Sequence, residues 1–431
     1  MLCGETQSKG NLGILVGGGP APGLNGVISA VTIEARKNGL NVFGIMDGYK
    51  WLVKGDENEL MNNIRKLEIH DVSRIHFDGG SILRTSRTNP VKEKDGVENA
   101  VKMLRKLGIG YMVTTGGDDT AYGASQIAKA AGGEIKFAHV PKTIDNDLPL
   151  PNNLPTFGYQ TARDLGAVLV KNLMEESRTT NRWYIVVVMG RNAGHLALGV
   201  AKSAGATLAI IPEELEGPGL VSIERVSDIF QTAIYKRRAL GRNYGVLVIA
   251  EGVAEKLNPE ELKQFQSSGL EVDSFGHIQL ADVELGKLIK NVTEKRFEER
   301  GEKIRFVELN IGYVLRCADP IPYDQEYTRD LGYNAVRYLL SKDPAHQGNA
   351  MITVDNGKLI PLQFEKMIDP KTKKTAVRLV DIRSDSYKVA RNYMVRLERE
   401  DLENPTLIAA MSKAAKMTEK AFVDKWGYLV K

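Results

Sequence analysis

Short apolar runs, each closed by glycine or an acidic residue, alternate along the chain with longer stretches of helical character. Leu12 to Val16 runs into Gly17-Gly18-Gly19-Pro20-Ala21-Pro22-Gly23-Leu24-Asn25, and a helical pattern follows from Gly26 to Lys37. Asn41 to Met46 predicts a strand, Asp47-Gly48-Tyr49 a turn, the residues to about Val72 a polar stretch, and Asn99 to Leu107 a helix. Tyr111 to Thr115 and Phe137 to Val140 are two further apolar runs, separated by the helix-forming Ala121 to Ala131. A second unit begins after Pro155. There Thr156 to Glu176 predicts a long helix, and strands are expected at Trp183 to Val188, Thr207 to Ile211 and Gly245 to Ala250, with a helix from Ser222 to Leu240. Runs of this length, rich in β-branched residues and bounded by turn signals, suit strands covered on both faces. Strand, loop and helix in repetition predict an α/β protein with a largely parallel sheet in each domain, its functional loops at the carboxyl ends of the strands. From about Asn349 the pattern weakens: a strand and turn at Thr353 to Lys358, a charged loop at Met367 to Val377, and mostly helix from Asp401 to Lys431.

A chain of 431 residues points to two domains. The 42% hydrophobic and 26% charged content is ordinary for a globular protein, and a net charge of +4 without a long basic block argues against nucleic acid. Cys3 and Cys317 lie too far apart for a metal or redox spacing, which suits a reduced cytoplasm. No apolar run approaches the roughly 20 residues of a membrane span, and the polar Met1 to Gly10 resembles no secretion signal. Lys413, Lys416 and Lys420 fall at helical spacing and read as a solvated face.

The densest chemistry lies between Thr114 and Asp147. Gly116-Gly117-Asp118-Asp119-Thr120 and Pro141-Lys142-Thr143-Ile144-Asp145-Asn146-Asp147 each follow a strand-like run, so four aspartates and one lysine are expected at one crevice. Neighbouring carboxylates raise each other's pKa, and therefore tend to meet a metal, a cation or water. Mg²⁺ held by one or two carboxylates plus substrate phosphates is the usual arrangement in phosphoryl transfer. Asp145 is placed as a general base for a hydroxyl, although any one of these aspartates alone also suits an Asx turn or a helix N-cap. The glycines after Val16 offer a cradle whose N–H groups approach a phosphate, or else a tight turn that binds nothing; neither G-x-G-x-x-G nor G-x-x-x-x-G-K-[ST] is present. Arg84 and Arg87 beside Gly79-Gly80 suit phosphate oxygens, or a solvated loop.

Gly18 to Asn25, Gly117-Asp118-Asp119-Thr120, Thr143 to Asp147, Met189-Gly190-Arg191, Ala250-Glu251-Gly252 and Gly312-Tyr313-Val314-Leu315-Arg316 together resemble the 6-phosphofructokinase family, in consistent order over roughly residues 12 to 340. The resemblance implies two Rossmann-like three-layer α/β domains with largely parallel sheets and an active site in the cleft between them. The donor domain is expected at 11–157, rejoined by a helix around 320–345, with the fructose 6-phosphate domain at 158–317 and a C-terminal extension, 349–431, packing on the core. Asp145 is implied as the base, assisted by Asp119, Lys142 and Arg191, and Asp118 as the Mg²⁺ ligand. Gly18, Gly19, Arg87, Gly117 and Asp147 are implied around the donor. Thr143, Ile144, Asp145, Met189, Gly190, Arg191, Glu251, Tyr313 and Arg316 are implied around fructose 6-phosphate. Arg182 matches an arginine that relatives contribute across a subunit interface, which implies a homodimer or homotetramer.

Three departures and one pair of residues refine the expectation. Tyr313 stands where some members have His, and Val307 where a family arginine is expected, with Arg305 the nearest substitute. Ser29 and Ile33 occupy the positions of allosteric arginines in bacterial ATP-using members, so nucleotide control there is not expected. Pyrophosphate-dependent members have Asp and Lys at the positions of Asp119 and Lys142, where bacterial ATP-dependent members have glycine. A carboxylate at Asp119 would crowd and repel the α-phosphate of ATP, while Lys142 would compensate pyrophosphate charge. The expected reaction is reversible, Mg²⁺-dependent phosphoryl transfer from pyrophosphate to the 1-hydroxyl of fructose 6-phosphate, a step of glycolysis or gluconeogenesis. ATP as donor is the nearer alternative. A catalytically silent sugar-phosphate-binding regulatory subunit is the other, and it would be marked by loss of Asp145 or Asp118, both of which are present.

Overall fold

The apolar runs form strands because their side chains have no polar face to offer water, and glycine or aspartate ends each one at the rim of a sheet. The computed structural model describes residues 9–215, 220–265, 284–364 and 376–430. Its strands in chain order are β1 (Asn11–Val16), β2 (Asn41–Ile45), β3 (Ile64–Leu67), β4 (Ile109–Gly116), β5 (Lys136–Pro141), β6 (Trp183–Val188), β7 (Leu208–Ile210), β8 (Gly245–Ala250), β9 (Phe306–Asn310), β10 (Ala350–Asp355) and β11 (Lys358–Gln363). Two units separate, residues 1–162 with 314–378 and residues 163–313 with 379–431.

The first unit is built on a seven-stranded sheet of order β11-β10-β5-β4-β1-β2-β3. Its five inner strands are parallel, and β3 and β11 close the edges antiparallel. The chain leaves β1 toward β2 on one side and returns on the other side at β4. The carboxyl ends of β1 and β4 therefore flank the point where the winding reverses, the usual ligand crevice of an open sheet. Helices Leu24–Lys37 and Pro322–Leu340 pack face to face, with Thr328 over Gly26 and Gly332 against Ala30. The polar stretch expected to Val72 holds two short helices, Lys50–Lys54 and Glu57–Asn62, and the edge strand β3. Two positive-φ residues, Asn356 and Gly357, make the tight turn between β10 and β11, as a two-residue hairpin demands.

The second unit carries a four-stranded, all-parallel sheet of order β7-β8-β6-β9. Every residue of β6 is buried. Helices Ile223–Ala239 and Leu285–Glu298 cover this sheet, and the C-terminal helices Pro405–Ala414 and Glu419–Trp426 pack in turn on Ile223–Ala239. Asp228 fastens them, accepting from Trp426 Nε1 at 3.1 Å and Tyr428 Oη at 2.8 Å. Residues 349–431 are thus divided, the β10–β11 hairpin belonging to the first sheet and the helices to the second unit. Most of the loop expected at Met367 to Val377 lies outside the described residues. No helix among the described residues is long and apolar enough to cross a membrane.

Candidate active site

The glycine loop after β1 works differently from a backbone phosphate cradle. The Gly17 N–H donates to Thr115 O and the Gly18 N–H to Ser86 O, both at 2.8 Å, so these two donors already serve the sheet rim. What the glycines provide is space. Gly18 has φ +80°, and a Cβ there would come within 3.2 Å of Lys142 Nζ; a Cβ on Gly19 would come within 2.6 Å of Arg316 Nη1. From the other side the Thr120 side chain fills the room left by Gly17 and Gly116. Thr85 Oγ1 donates to Gly18 O at 2.6 Å and fixes the loop against the segment that carries Arg87.

Lys142 is the centre of charge. It is buried, and its Nζ donates to Gly19 O at 2.5 Å. Burial lowers its pKa to about 8, Asp145 and Asp118 pull it up, and Arg316 and Arg87 push it down. Two cations and two carboxylates thus influence one ammonium. Arg87 is exposed and acts on Lys142, whereas its neighbour Arg84 is taken by Asp47 at 2.7 Å and is not available to a phosphate. Asp118 and Asp119 lie in the first turn of helix Asp118–Ala130, both exposed, with Gly117 at the N-cap. The helix starts three residues earlier than its apolar pattern suggests, because acidic residues are favoured in a first turn. Among the described residues, no three His, Cys, Asp or Glu side chains gather into a ready-made metal cage. One or two carboxylates at an exposed helix start nevertheless suit Mg²⁺ when phosphates supply its other ligands.

The floor beneath these loops contains a buried histidine. His139 on β5 stands between Thr114 Oγ1 (2.9 Å from Nδ1) and the Gly116 carbonyl (3.0 Å from Nε2). A carbonyl only accepts, so Nε2 carries the proton and Nδ1 accepts from the threonine. Burial lowers its pKa to about 3 and keeps it neutral. The same Gly116 oxygen accepts from the Lys142 N–H at 2.8 Å, so one carbonyl joins the start of the Asp118 helix to the lysine loop.

In the loop after β5, Thr143 Oγ1 accepts from the Asp145 N–H at 3.1 Å, and Thr156 Oγ1 donates to Thr143 O at 2.7 Å. The Ile144 side chain is buried, so contact with a ligand there falls to its main chain. Asp147 interacts electrostatically with Arg378, whose N–H donates to Asp147 O at 2.7 Å.

In the second unit, the expected residues meet at the carboxyl ends of three neighbouring strands. Met189, Gly190 and Arg191 follow β6, Glu251 follows β8, and Tyr313 lies just beyond β9. Backbone lies on backbone here: Gly252 N donates to Gly190 O at 3.1 Å, and a Cβ on Gly252 would collide with the Arg191 carbonyl. Gly190 has φ +136°, and Gly312 leaves room for the Met189 side chain. Glu251 Oε1 lies 3.4 Å from Gly190 N, Arg191 lies 3.7 Å from Glu255, and Tyr313 is 59% exposed. Glu213, buried and with its pKa raised by that burial, accepts from Gly194 N and from Val380 N, each at 2.9 Å.

The Phosphofructokinase family model matches residues 11–339. This chain belongs to the phosphofructokinase family. It is 55% identical over 416 residues to a pyrophosphate–fructose 6-phosphate 1-phosphotransferase of Thermotoga maritima, covering 96% of this chain and 97% of that one. It is 48% identical over 426 residues to the enzyme of the same name from Naegleria fowleri, covering 97% and 95%. The pyrophosphate-dependent phosphofructokinase of Marinobacter aquaeolei shares the fold, with a TM-score of 0.62 and 19% identity over 89% of this chain and 90% of that one. Two Rossmann-like domains with largely parallel sheets, as expected, are the phosphofructokinase architecture.

Within this phosphofructokinase chain Arg316 belongs to the first unit and lies over Gly19, beside Lys142. Arg182 is exposed at the amino end of β6, the opposite end from Met189, about 20 Å along the strand. Trp183 pairs with Phe306, so the exposed Arg305 is the register neighbour of Arg182. Ser29 is buried and donates to Val72 O at 2.7 Å. His139, Glu213 and Arg378 were not singled out by sequence, and Thr120 only as the last residue of its motif. His139 looks like part of an apolar run, and nothing local announces its partners.

Proposed function

We propose that this chain transfers a phosphoryl group reversibly from pyrophosphate to the 1-hydroxyl of fructose 6-phosphate, giving fructose 1,6-bisphosphate and phosphate. The observation that carries the reading is the buried Lys142 ammonium under a glycine loop, flanked by Arg316 and Arg87, with Asp119 in the first turn of the helix that follows β4. A compact polyanion suits that cluster, while the Asp119 carboxylate repels the α-phosphate of a longer donor. The near-full-length similarity to two proteins named for this reaction supports the same assignment.

In the forward direction Asp145 accepts the proton of the 1-hydroxyl as that oxygen bonds to the transferred phosphorus, and the bond to the bridging oxygen of pyrophosphate breaks. Lys142, Arg316 and Arg87 hold the charge that collects on the transferred group and the departing phosphate. Mg²⁺, held through Asp118, would neutralise donor oxygens when bound. We assign the sugar to Met189, Gly190, Arg191, Glu251 and Tyr313: Glu251 accepts from its hydroxyls, while Arg191 and Tyr313 donate to its phosphate. Thr143 and the Ile144 main chain complete the acceptor side, and Gly117 and Asp147 the donor side.

A coupled assay with fructose 6-phosphate tests the donor. Product with pyrophosphate and none with ATP is expected; product with ATP alone overturns the assignment. Asp119→Gly should raise ATP use and weaken turnover with pyrophosphate, and a variant that still refuses ATP entirely would sink exclusion by Asp119 alone.

The position of Arg182 and Arg305 favours a homo-oligomer in which both serve a neighbour's sugar phosphate. Mixing Asp145→Ala and Arg182→Ala chains should then restore roughly a quarter of wild-type turnover in a randomly mixed dimer, because one site in each mixed pair is intact. No recovery on mixing rejects the shared site.

A further inference from the structure

The loop that carries Asp145 is held from far along the chain. Asn146, Asn152 and Asn153 all have positive φ, between 53° and 57°, so the segment that follows Asp145 is bent through left-handed positions that tolerate asparagine but do not favour it. Arg378 spans this segment. Its Nε and Nη2 both donate to Asn146 O, at 3.0 and 2.9 Å, and Nη1 donates to Leu154 O at 2.7 Å. Nη2 also meets Asn146 Oδ1, which in turn accepts from Thr156 N at 3.0 Å. The Arg378 main-chain N–H adds its bond to Asp147 O. One guanidinium thereby joins both ends of the 146–154 loop through carbonyls, groups that a lysine could reach only as a single point donor. Arg378 lies beyond the 11–339 span of the family match.

We propose that Arg378 is the positioning residue for Asp145, setting the carboxylate of the base through the Asn146 carbonyl that follows it. This rests on the reading of Asp145 as base. Arg378 touches no reacting atom; it fixes the backbone on either side of the bend, and an error of about 1 Å in a reacting group can cost 10²-fold in rate.

The test uses full-length Arg378→Lys and Arg378→Ala. Both should lower kcat about 10²-fold with pyrophosphate and fructose 6-phosphate while weakening equilibrium binding of Mg-pyrophosphate no more than about threefold, because Gly19 and Lys142 lie outside the 146–154 segment that Arg378 spans and Asp147 is the one donor-side residue within it. Added methylguanidine should recover part of the kcat of Arg378→Ala, which general loosening of the fold would not allow. Unchanged kcat in Arg378→Lys overturns the proposal, as does loss of kcat and pyrophosphate binding together. Should Arg378→Ala not fold, Asn146→Gly keeps the positive φ but removes the side-chain acceptor, and its cycle with Arg378→Lys should be non-additive; additive losses overturn the proposal. Asp145→Asn separates the two claims. If it is inactive while Arg378→Lys is normal, only the positioning role falls; if it is fully active, the base assignment falls and the positioning role with it.

Discussion

Both units place glycine motifs at the carboxyl ends of parallel strands, yet the glycines do different physical work. Around the donor loop they make room for side chains: Thr120 at Gly17 and Gly116, Lys142 at Gly18, Arg316 at Gly19. Around the sugar loops Gly252 and Gly190 make room for backbone, the carbonyls of Arg191 and Ala193. A side-chain tip can move aside and a carbonyl fixed by two strands cannot. A methyl group is therefore easier to accommodate at Gly18 or Gly19 than at Gly252 or Gly190.

The sharpest way to break this contrast is Lys142→Met. Removing this buried cation should lower kcat with pyrophosphate by about 10²–10³-fold and leave fructose 6-phosphate affinity unchanged, read from steady-state kinetics and direct sugar-phosphate binding. The next effect is Gly252→Ala, where a methyl group meets the Arg191 carbonyl. It should cost about 3 kcal/mol of stability, lower the unfolding midpoint by several degrees and raise the KM for fructose 6-phosphate more than that for pyrophosphate. Gly19→Ala should be milder. Arg316 Nη1 can swing away, so the donor KM rises about tenfold while the unfolding midpoint holds within about 2 °C. Equal destabilisation by the two alanines would erase the distinction.

Titration gives the smallest and most selective effect. With a pKa of about 8, Lys142 is charged below that pH and loses its charge above it. Pyrophosphate affinity of the free protein should fall as pH rises through about 8, and Lys142→Arg should remove that step. A bound anion raises the lysine pKa, so the step should move to higher pH in the complex. The sign for folding is opposite: a lysine whose pKa is depressed in the folded state costs stability as pH falls from 10.5, the ordinary lysine value, to about 8, and the loss is complete below that.

Much of the scaffold was legible because its signals are local. An apolar run followed by glycine marks the rim of a sheet, and Asp118, Asp119, Lys142 and Asp145 sit in those rims where the topology puts ligands. The edge strand β3 was missed because Ile64–Leu67 is short and half polar, so propensity says little and pairing with β2 decides. Arg378, one residue past the charged loop expected at Met367 to Val377, was passed over, since its partners are carbonyls more than 200 residues away and carbonyls leave no trace in sequence. His139 was hidden for a related reason: neutral and satisfied between a threonine and a carbonyl, it behaves as one more core residue of β5. For the glycine loop the sequence left a phosphate cradle and a tight turn both open, because the hydrogen bonds of Gly17 N–H to Thr115 and Gly18 N–H to Ser86 depend on segments assembled from far apart.

The first sheet also sets an order of events during synthesis. Ala138 on β5 pairs with Ala350 on β10, 212 residues later, and the Pro322–Leu340 helix that packs on Leu24–Lys37 is made nearly as late. At ribosomal speeds of about 5–20 residues per second, β5 is exposed as an open edge for roughly 10–40 s before its neighbour exists. The second unit's β6 to β9 emerge entirely within that interval. The nascent chain can thus complete the second unit's sheet first, while the older sheet of the first unit waits with an unpaired edge at β5.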